Sequence, residues 1–119
     1  MDKQIFLKIG FTPAETKVYL ALLEIGQTTA GKILDKTGLQ NSTVHKVLNK
    51  LVQKGYASFI VKSKTHHYQA TDPENLLKTI EERKNKFQSI LPMLKVLQKP
   101  IEKQEAEVFE GFKGFKNLL

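Results

Sequence analysis

Hydrogen-bonding side chains without a single carboxylate lie along one side of a candidate helix near the middle of the chain. Between Asn41 and Lys54 the apolar residues recur at helical spacing, and the positions opposite them hold Ser42, His45, Lys46, Asn49 and Gln53. Donors and acceptors of this length suit the base edges and phosphates that line the major groove of duplex DNA. The spacing therefore predicts a recognition helix over residues 41–54.

The positive charge of the chain is concentrated in the same region. Residues 27–69 contain seven lysines and one acid, Asp35, so this segment carries +6 of the formal net charge of +7. A surface that binds a polyanion shows such a concentration. The alternative is a solvated lysine-rich face, although such faces usually interleave both signs.

Length and composition restrict the class of protein. A chain of 119 residues is one ordinary domain, or a small domain with an appendage, and 40% apolar with 26% charged residues is typical of globular proteins. No apolar run approaches a membrane span, and the absence of cysteine excludes disulfides and is consistent with the cytoplasm. We find no phosphate-binding loop, activated nucleophile or metal-ligand spacing. We therefore expect no enzyme activity, no cofactor, no metal and no membrane partner.

Three helices should position the recognition face. After a short helical turn near Ile5 to Ile9, the run Thr12-Pro13-Ala14-Glu15 has the pattern of a capping box and begins a helix that Gly26 ends in a left-handed conformation. Its predicted apolar side consists of Val18, Tyr19, Leu22, Leu23 and Ile25. Thr28 or Thr29 caps the next helix, which buries Ala30, Ile33 and Leu34 and stops at Gly38.

The link over residues 37–40 is short enough to cross the third helix over the second, as in a helix-turn-helix. In the third helix the apolar stripe is Val44, Val47, Leu48 and Leu51. After Gly55 the period changes from 3.6 to 2, and two alternating runs flank a loop over residues 62–65. Three helices followed by a basic hairpin form the order of a winged helix-turn-helix.

The residues themselves resemble a known family. The run GFTPAETKVYLALLEIGQTTAGKILDKTGLQNSTVHKVLNKLVQKGY, followed by YQATDPENLLKTIEERK, is similar to the DNA-binding domain of the TrmB-like transcriptional regulators, which occur mainly in archaea and often respond to sugars. The most specific parts are the first helix and the passage out of the wing. The resemblance covers about residues 5–98 and implies a dimeric repressor or activator of transcription.

A long helix should follow the wing. Asp72-Pro73-Glu74 begins it by the same logic of cap and proline, and it should continue through Pro92 to about Gln98. Apolar residues follow a 3-4 spacing that we interpret as a homodimer seam, the alternative being that the helix packs back on its own winged helix. The seam consists of Leu77, Ile80, Phe87, Leu91 and Leu94, widened by Leu76, Ile90 and Leu97.

The predicted organisation has three parts. They are a winged helix-turn-helix DNA-binding domain over 1–71, a dimerisation helix over 72–98, and a tail over 99–119 that carries three phenylalanines. Longer members of the resembled family continue such a passage into an effector-binding domain. The resemblance thus implies that a sugar or other small effector acts only through a domain not present in this chain.

The fold class expected is therefore mainly α with a small β-hairpin, a winged helix-turn-helix followed by a long C-terminal helix. The leading function is sequence-specific binding of double-stranded DNA by a cytoplasmic homodimer. A protein-protein interaction module and a basic RNA-binding domain are the alternatives, since winged helices serve all three purposes. The predicted DNA-binding residues are Thr29, Gln40, Asn41, Ser42, Thr43, His45, Lys46, Asn49, Lys50, Lys62, Lys64 and His66.

Overall fold

The computed structural model describes residues 1–100 and has the expected architecture, a helical core followed by a hairpin and a long helix. The elements are α1 (Gln4–Lys8), α2 (Pro13–Ile25), α3 (Ala30–Thr37), α4 (Asn41–Lys54), β1 (Ala57–Lys62), β2 (Thr65–Ala70) and α5 (Pro73–Leu97). The chain divides into two compact units, Met1–Ile80 and the residues from Glu81 onward. The predicted effector-domain remnant lies outside the described residues, except for Lys99 and Pro100.

The start of α2 is the predicted capping box. The Thr12 hydroxyl accepts from the Glu15 backbone N–H at 3.1 Å, and the Glu15 carboxylate accepts from the Thr12 N–H at 2.9 Å. The helix ends at Gly26, whose φ of 86° is positive as expected. Its ψ of −151°, however, makes the backbone extended rather than left-handed helical, so this part of the prediction was wrong.

The core lies between α2, α3, α4 and the root of the hairpin. From α2 it takes Val18, Tyr19, Ala21 and Leu22. Leu23 and Ile25, which were predicted to face inward, are 40% and 37% exposed. The reason is geometric, because α3 and α4 cover one stripe of α2, and each residue beyond Leu22 turns a further 100° about the helix axis.

Helix α4, the predicted recognition helix, follows its predicted apolar pattern closely. Its apolar stripe is fully buried, and the helix ends at Gly55 in the left-handed conformation, with a φ of 82°. Beyond it, Tyr56 stacks on Phe11 with ring centroids 4.7 Å apart and planes 6° from parallel. This stacking joins the end of α4 to the segment that precedes α2.

The hairpin is tighter than the sequence suggested. Lys62 pairs with Thr65, so the connecting loop has two residues rather than four. Those residues, Ser63 and Lys64, have φ values of 48° and 66°, as a type I′ turn requires. Neither is the glycine or asparagine that usually marks such a turn, so the sequence contained no clear signal for it.

The last helix begins where expected and continues through Pro92 to Leu97. The Asp72 carboxylate accepts from the Glu74 N–H at 2.8 Å. Leu76, which was predicted to widen the dimer seam, is instead only 7% exposed and belongs to the winged-helix core, because the first turn of α5 is part of that unit. Within residues 1–100 the structure has no helix long and apolar enough to cross a membrane.

Candidate nucleic-acid interface

The orientation of α4 is set by four side chains that it buries. Val44, Val47, Leu48 and Leu51 recur at intervals of three, one and three residues, and all lie in the core. Burying four such side chains contributes about 1.5–3 kcal/mol each relative to exposing them, so rotation of the helix is strongly disfavoured. The opposite side of α4 is therefore held toward solvent with a defined direction.

That side carries most of the predicted DNA-binding residues. Thr43 is half-buried, and the other predicted residues of this element are exposed, namely Asn41, Ser42, His45, Lys46, Asn49 and Lys50. The whole helix contains no acid. Lys46 and Lys50 stand four residues apart and thus repel each other weakly, a repulsion that a polyanion would relieve.

The turn that leads into α4 is fixed by local bonds. Gly38 ends α3 with a φ of 72°, and the Thr37 hydroxyl donates to the Ile33 carbonyl at 2.7 Å. The same hydroxyl accepts from the Leu39 N–H at 3.3 Å. Gln40 is the N-cap residue of α4 and has an extended backbone, but its side chain makes no capping hydrogen bond. The side-chain amide of Gln40 is therefore exposed beside Asn41.

The start of α3 presents a second polar position. Thr29 is the N-cap residue of α3, but its side chain makes no capping hydrogen bond and it is half-buried. No acid occurs in the first turn of α3. The first backbone N–H groups of a helix lack internal partners and carry partial positive charge. This end of α3 is thus suited to an anion such as a backbone phosphate.

The wing places its three predicted residues in different surroundings. Lys64 is exposed in the two-residue turn. The Lys62 ammonium reaches back and donates to the Gln27 side-chain oxygen at 3.0 Å. His66 lies against Phe59, with ring centroids 4.5 Å apart. Of these three exposed side chains, Lys62 and His66 each contact another side chain. Gln27, the partner of Lys62, was not among the residues predicted from the sequence.

A backbone bridge ties the wing to the helical body. The Thr28 N–H donates to the Tyr68 carbonyl at 2.9 Å, and the Tyr68 N–H donates to the Thr28 carbonyl at 2.6 Å. Thr28 precedes the N-cap of α3, so the bridge links the wing directly to the helix-turn-helix. The position of the wing is thereby coupled to that of α3.

Two of the seven lysines counted in the basic segment are neutralised by acids from α2. Lys54 lies 2.8 Å from Glu15, and Lys36 lies 2.8 Å from Glu24. Both acids lie outside residues 27–69 but pair with lysines inside that segment. The formal charge of +6 for the segment therefore overstates its uncompensated positive charge. Five lysines remain without a carboxylate partner among the described residues, and these are Lys32, Lys46, Lys50, Lys62 and Lys64.

The pKa values of the two acids agree with this pairing. Burial alone would raise the pKa of Glu15, but hydrogen bonds from Lys54 and from the Thr12 backbone outweigh burial and lower it below the ordinary 4.5. The hydrogen bond from Lys36 likewise lowers the pKa of Glu24. Both carboxylates are thus charged at neutral pH and compensate their lysines.

The predicted dimer residues lie on α5 as an apolar row. Leu77, Phe87, Leu91 and Leu94 are between 38% and 56% exposed, and Ile80 is half-buried. Ile90 and Leu97 are exposed as well. Exposing large apolar side chains along one helix is unfavourable in water, and a patch of this kind often marks a surface that contacts another molecule.

In the described part of the chain, no group of His, Asp or Glu is arranged to hold a metal.

Comparison with known proteins identifies a family. The family described as "Sugar-specific transcriptional regulator TrmB" matches residues 6–74. The HTH-type sugar sensing transcriptional regulator TrmBL1 of Pyrococcus furiosus is 26% identical over 113 residues, which are 94% of this chain and 33% of that protein. This chain thus spans about a third of the length of that relative.

Solved structures share the fold. TrmBL2, described as an archaeal chromatin protein with a novel mode of DNA binding, has a TM-score of 0.70 at 21% identity and covers 98% of this chain and 44% of its own. A possible transcriptional regulator of Methanosarcina mazei has a TM-score of 0.66 at 14% identity, with 81% and 86% covered. A MarR family protein of Bacillus stearothermophilus has a TM-score of 0.54 at 20% identity, with 97% and 77% covered.

The family resemblance seen in the sequence is confirmed, as is the winged helix that it implied. The match extends from the residues before α2 through the helix-turn-helix and the wing to the start of α5. The chain belongs to the TrmB family of transcriptional regulators.

Proposed function

We propose that this chain is a sequence-specific regulator that binds double-stranded DNA as a homodimer, with α4 in the major groove and the wing along the phosphate backbone. The observation that carries the proposal is the acid-free, solvent-directed side of α4, held in place by its four buried residues. Its amide, hydroxyl, imidazole and ammonium groups match the contacts that read base edges and neutralise phosphates.

Base discrimination is assigned to the short polar residues of α4. Asn49 is exposed on this side of α4, and asparagine can pair with adenine through two hydrogen bonds. Ser42, Thr43 and His45 occupy the N-terminal half of α4, which is the part of a recognition helix that meets base edges. Gln40 and Asn41 lie at the entry of the helix, within reach of the groove edge.

Phosphate binding is assigned to the cations and to the start of α3. Lys46 and Lys50 flank the base-reading residues, and Thr29 offers an uncommitted hydroxyl beside free backbone N–H groups. Lys64 in the wing turn contacts the neighbouring phosphate backbone in this proposal, supported by its position between β1 and β2, which carry Lys62 and His66. Lys62 must then share its ammonium between Gln27 and a phosphate.

Dimerisation is assigned to the apolar row of α5 between Leu77 and Leu94. A twofold dimer places two recognition helices on the same side of the duplex about 34 Å apart, one helical turn of DNA. The name of the family and that of the Pyrococcus relative both refer to sugars. We infer that a sugar-type effector acts through a domain outside this chain, and that the regulator is a non-enzymatic protein of the cytoplasm.

Salt dependence of binding tests this proposal directly. Each phosphate contact releases counterions and contributes about 0.9 to the slope of log K against log salt. Lys46→Ala and Lys50→Ala should each weaken binding to any duplex and lower that slope by about one. Lys17→Ala, which removes an exposed lysine from α2, serves as the control and should leave the slope unchanged.

A slope that does not change in Lys46→Ala and Lys50→Ala would contradict the placement of α4 on DNA. Single-stranded RNA of the same length distinguishes the alternative partner. Tighter binding to the RNA than to duplex DNA at equal salt would favour the RNA-binding function instead.

A further inference from the structure

The outer edge of β1 has unpaired backbone groups. Tyr68 directs its N–H and C=O toward Thr28, away from β1, and it stands directly opposite Phe59 in the hairpin. Opposed residues of an antiparallel pair either exchange both hydrogen bonds or direct both amides outward. Phe59 therefore directs its amides away from β2, as does Val61 two residues later. Within residues 1–100 no strand or bridge pairs with this edge.

The same edge is apolar at its centre. Phe59, Ile60 and Val61 are consecutive and are 42%, 47% and 56% exposed. Edge strands of soluble proteins usually carry a charge, a proline or a bulge that prevents pairing with another strand. Here the first charge is that of Lys62, whose ammonium is drawn back to Gln27. An unpaired, apolar strand edge of this kind is suited to addition of another strand.

We propose that β1 pairs in antiparallel orientation with β1 of a second copy of this chain, in a register centred on Ile60. This register places Phe59 opposite Val61 of the second copy, so the outward amides of both residues exchange hydrogen bonds. Ile60 then faces Ile60 of the second copy as a closely spaced pair without hydrogen bonds. All three exposed apolar residues of each strand meet apolar residues.

The charges are compatible with this register. Lys62 stands opposite Ser58 of the second copy, so no two lysines face each other. The two copies of Lys62 are offset by four residues, about 13 Å at 3.3 Å per residue. That separation exceeds the screening length of about 8 Å at physiological salt, so their repulsion is weak. In registers shifted by two residues, Phe59 faces Phe59 or Val61 faces Val61, but Ile60 then faces Ser58 or Lys62. Only the register centred on Ile60 pairs all three exposed apolar residues with one another.

The contact is distinct from the α5 dimer and uses none of the residues assigned to base reading. It makes the wing a second surface of self-association, on the strand that leads into Lys64. Pairing between wings would therefore link separate regulators side by side. This inference does not rest on the proposed function, because it concerns the strand edge alone.

The absence of cysteine from the sequence permits a test specific for the register. In the full chain without DNA, Ile60→Cys should form a disulfide-linked dimer on mild oxidation, because opposed Cβ atoms in such a pair lie about 4.5–5.5 Å apart, near the disulfide range. Phe59→Cys and Val61→Cys should each link poorly alone but form a mixed dimer when combined. Ser58→Cys, which faces Lys62 in this register, measures the background of random collision.

We expect Ile60→Cys to link about tenfold faster than Ser58→Cys, in line with the steep geometric requirement of the disulfide. The linkage should persist when Phe87→Glu and Leu91→Glu are added, which separates this contact from the α5 seam. Equal rates for Ile60→Cys and Ser58→Cys would overturn the pairing. A mixture of Phe59→Cys and Val61→Cys that links no more than either variant alone would overturn the register.

A measurement without covalent linkage completes the test. In the chain that carries Phe87→Glu and Leu91→Glu, Ile60→Lys should lower the weight-average mass measured by sedimentation. The reason is that each pair of strands would then bring two lysines face to face. Leu7→Lys places the same charge on an exposed leucine of α1 and should leave the mass unchanged. Because Ile60 is nearly half exposed, Ile60→Lys should retain the wild-type melting temperature. An unchanged mass in folded Ile60→Lys would contradict the proposal.

Discussion

The ammonium of Lys54, at the end of α4, lies 2.8 Å from a carboxylate oxygen of Glu15, in the first turn of α2. The same oxygen accepts the Thr12 N–H, so one atom both caps α2 and pairs with the last residue of α4. Glu15 is only 3% exposed, whereas about a third of the Lys54 side chain is exposed. The two helices are thus joined by an ion pair in which Glu15 is buried and Lys54 is partly exposed.

Lys54→Met should destabilise the chain mainly by leaving the Glu15 carboxylate without its cation. We expect a loss of about 1–3 kcal/mol in the free energy of unfolding at neutral pH, because the buried carboxylate then keeps only the hydrogen bonding from Thr12 among the described residues. Because the folded-state pKa of Glu15 is lowered, its stabilisation is complete above 4.5 and is lost as the pH falls through the folded pKa. The difference between Lys54→Met and wild type should therefore shrink in acid.

Urea unfolding of both proteins from neutral pH to about pH 3 measures that difference. The control is Lys36→Met, which removes the cation from Glu24, an exposed acid. Exposed pairs contribute little, so this variant should unfold like wild type. A pH-independent difference between Lys54→Met and wild type would show that Glu15 is not the group that responds.

The hydroxyl of Thr28 offers a second stability test. It is buried, and its oxygen has no hydrogen-bond partner among the described residues. Thr28→Val keeps the shape and the backbone bridge to Tyr68 while removing that hydroxyl. We expect the melting temperature to rise, corresponding to about 1 kcal/mol of added stability.

Thr16→Val is the matched control for that substitution. Thr16 is also buried, but its hydroxyl donates to the Thr12 carbonyl at 3.0 Å. Removing a satisfied hydroxyl should lower stability by about 1 kcal/mol. If the two variants shifted the melting temperature in the same direction, the contrast between free and bonded hydroxyls would be disproved.

Asn49→Ala tests base reading by α4. We expect a loss of about 1–3 kcal/mol in the free energy of binding to the cognate site and much less on random duplex, because a paired base contact exists only on the right sequence. Anisotropy titrations with both duplexes at one salt concentration measure the two losses. Equal losses would make Asn49 a residue that positions the protein rather than one that selects bases.

Phe87→Glu combined with Leu91→Glu tests the α5 seam. Burying those charges between two helices would be prohibitive, so the variant should sediment as a smaller species and bind the operator much more weakly. Val96→Glu provides the control, since Val96 is highly exposed and lies outside the predicted seam. Wild-type protein that sediments as a monomer at high micromolar concentration would remove the seam altogether.

The order of elements and the stripe of α4 could be predicted because both depend on local sequence. The capping box of Thr12 and Glu15 and the apolar spacing from Val44 to Leu51 depend on residues a few positions apart, and the structure has both. Leu23 and Ile25 were misplaced because periodicity locates an apolar side of a helix but not the width of the surface that covers it. Leu76 was misassigned because periodicity does not show whether an apolar residue packs on its own domain or on a second subunit.

The sequence by itself determined the winged helix, its family and the basic character of its middle segment. Only the tertiary structure decided which lysines remain free, because pairs such as Lys54 with Glu15 join residues far apart in the chain. It also revealed the bridge from Thr28 to Tyr68 and, through it, the direction of the amides on β1. Hydrogen bonds between distant backbone segments leave no periodic signal, so a sequence pattern cannot anticipate them.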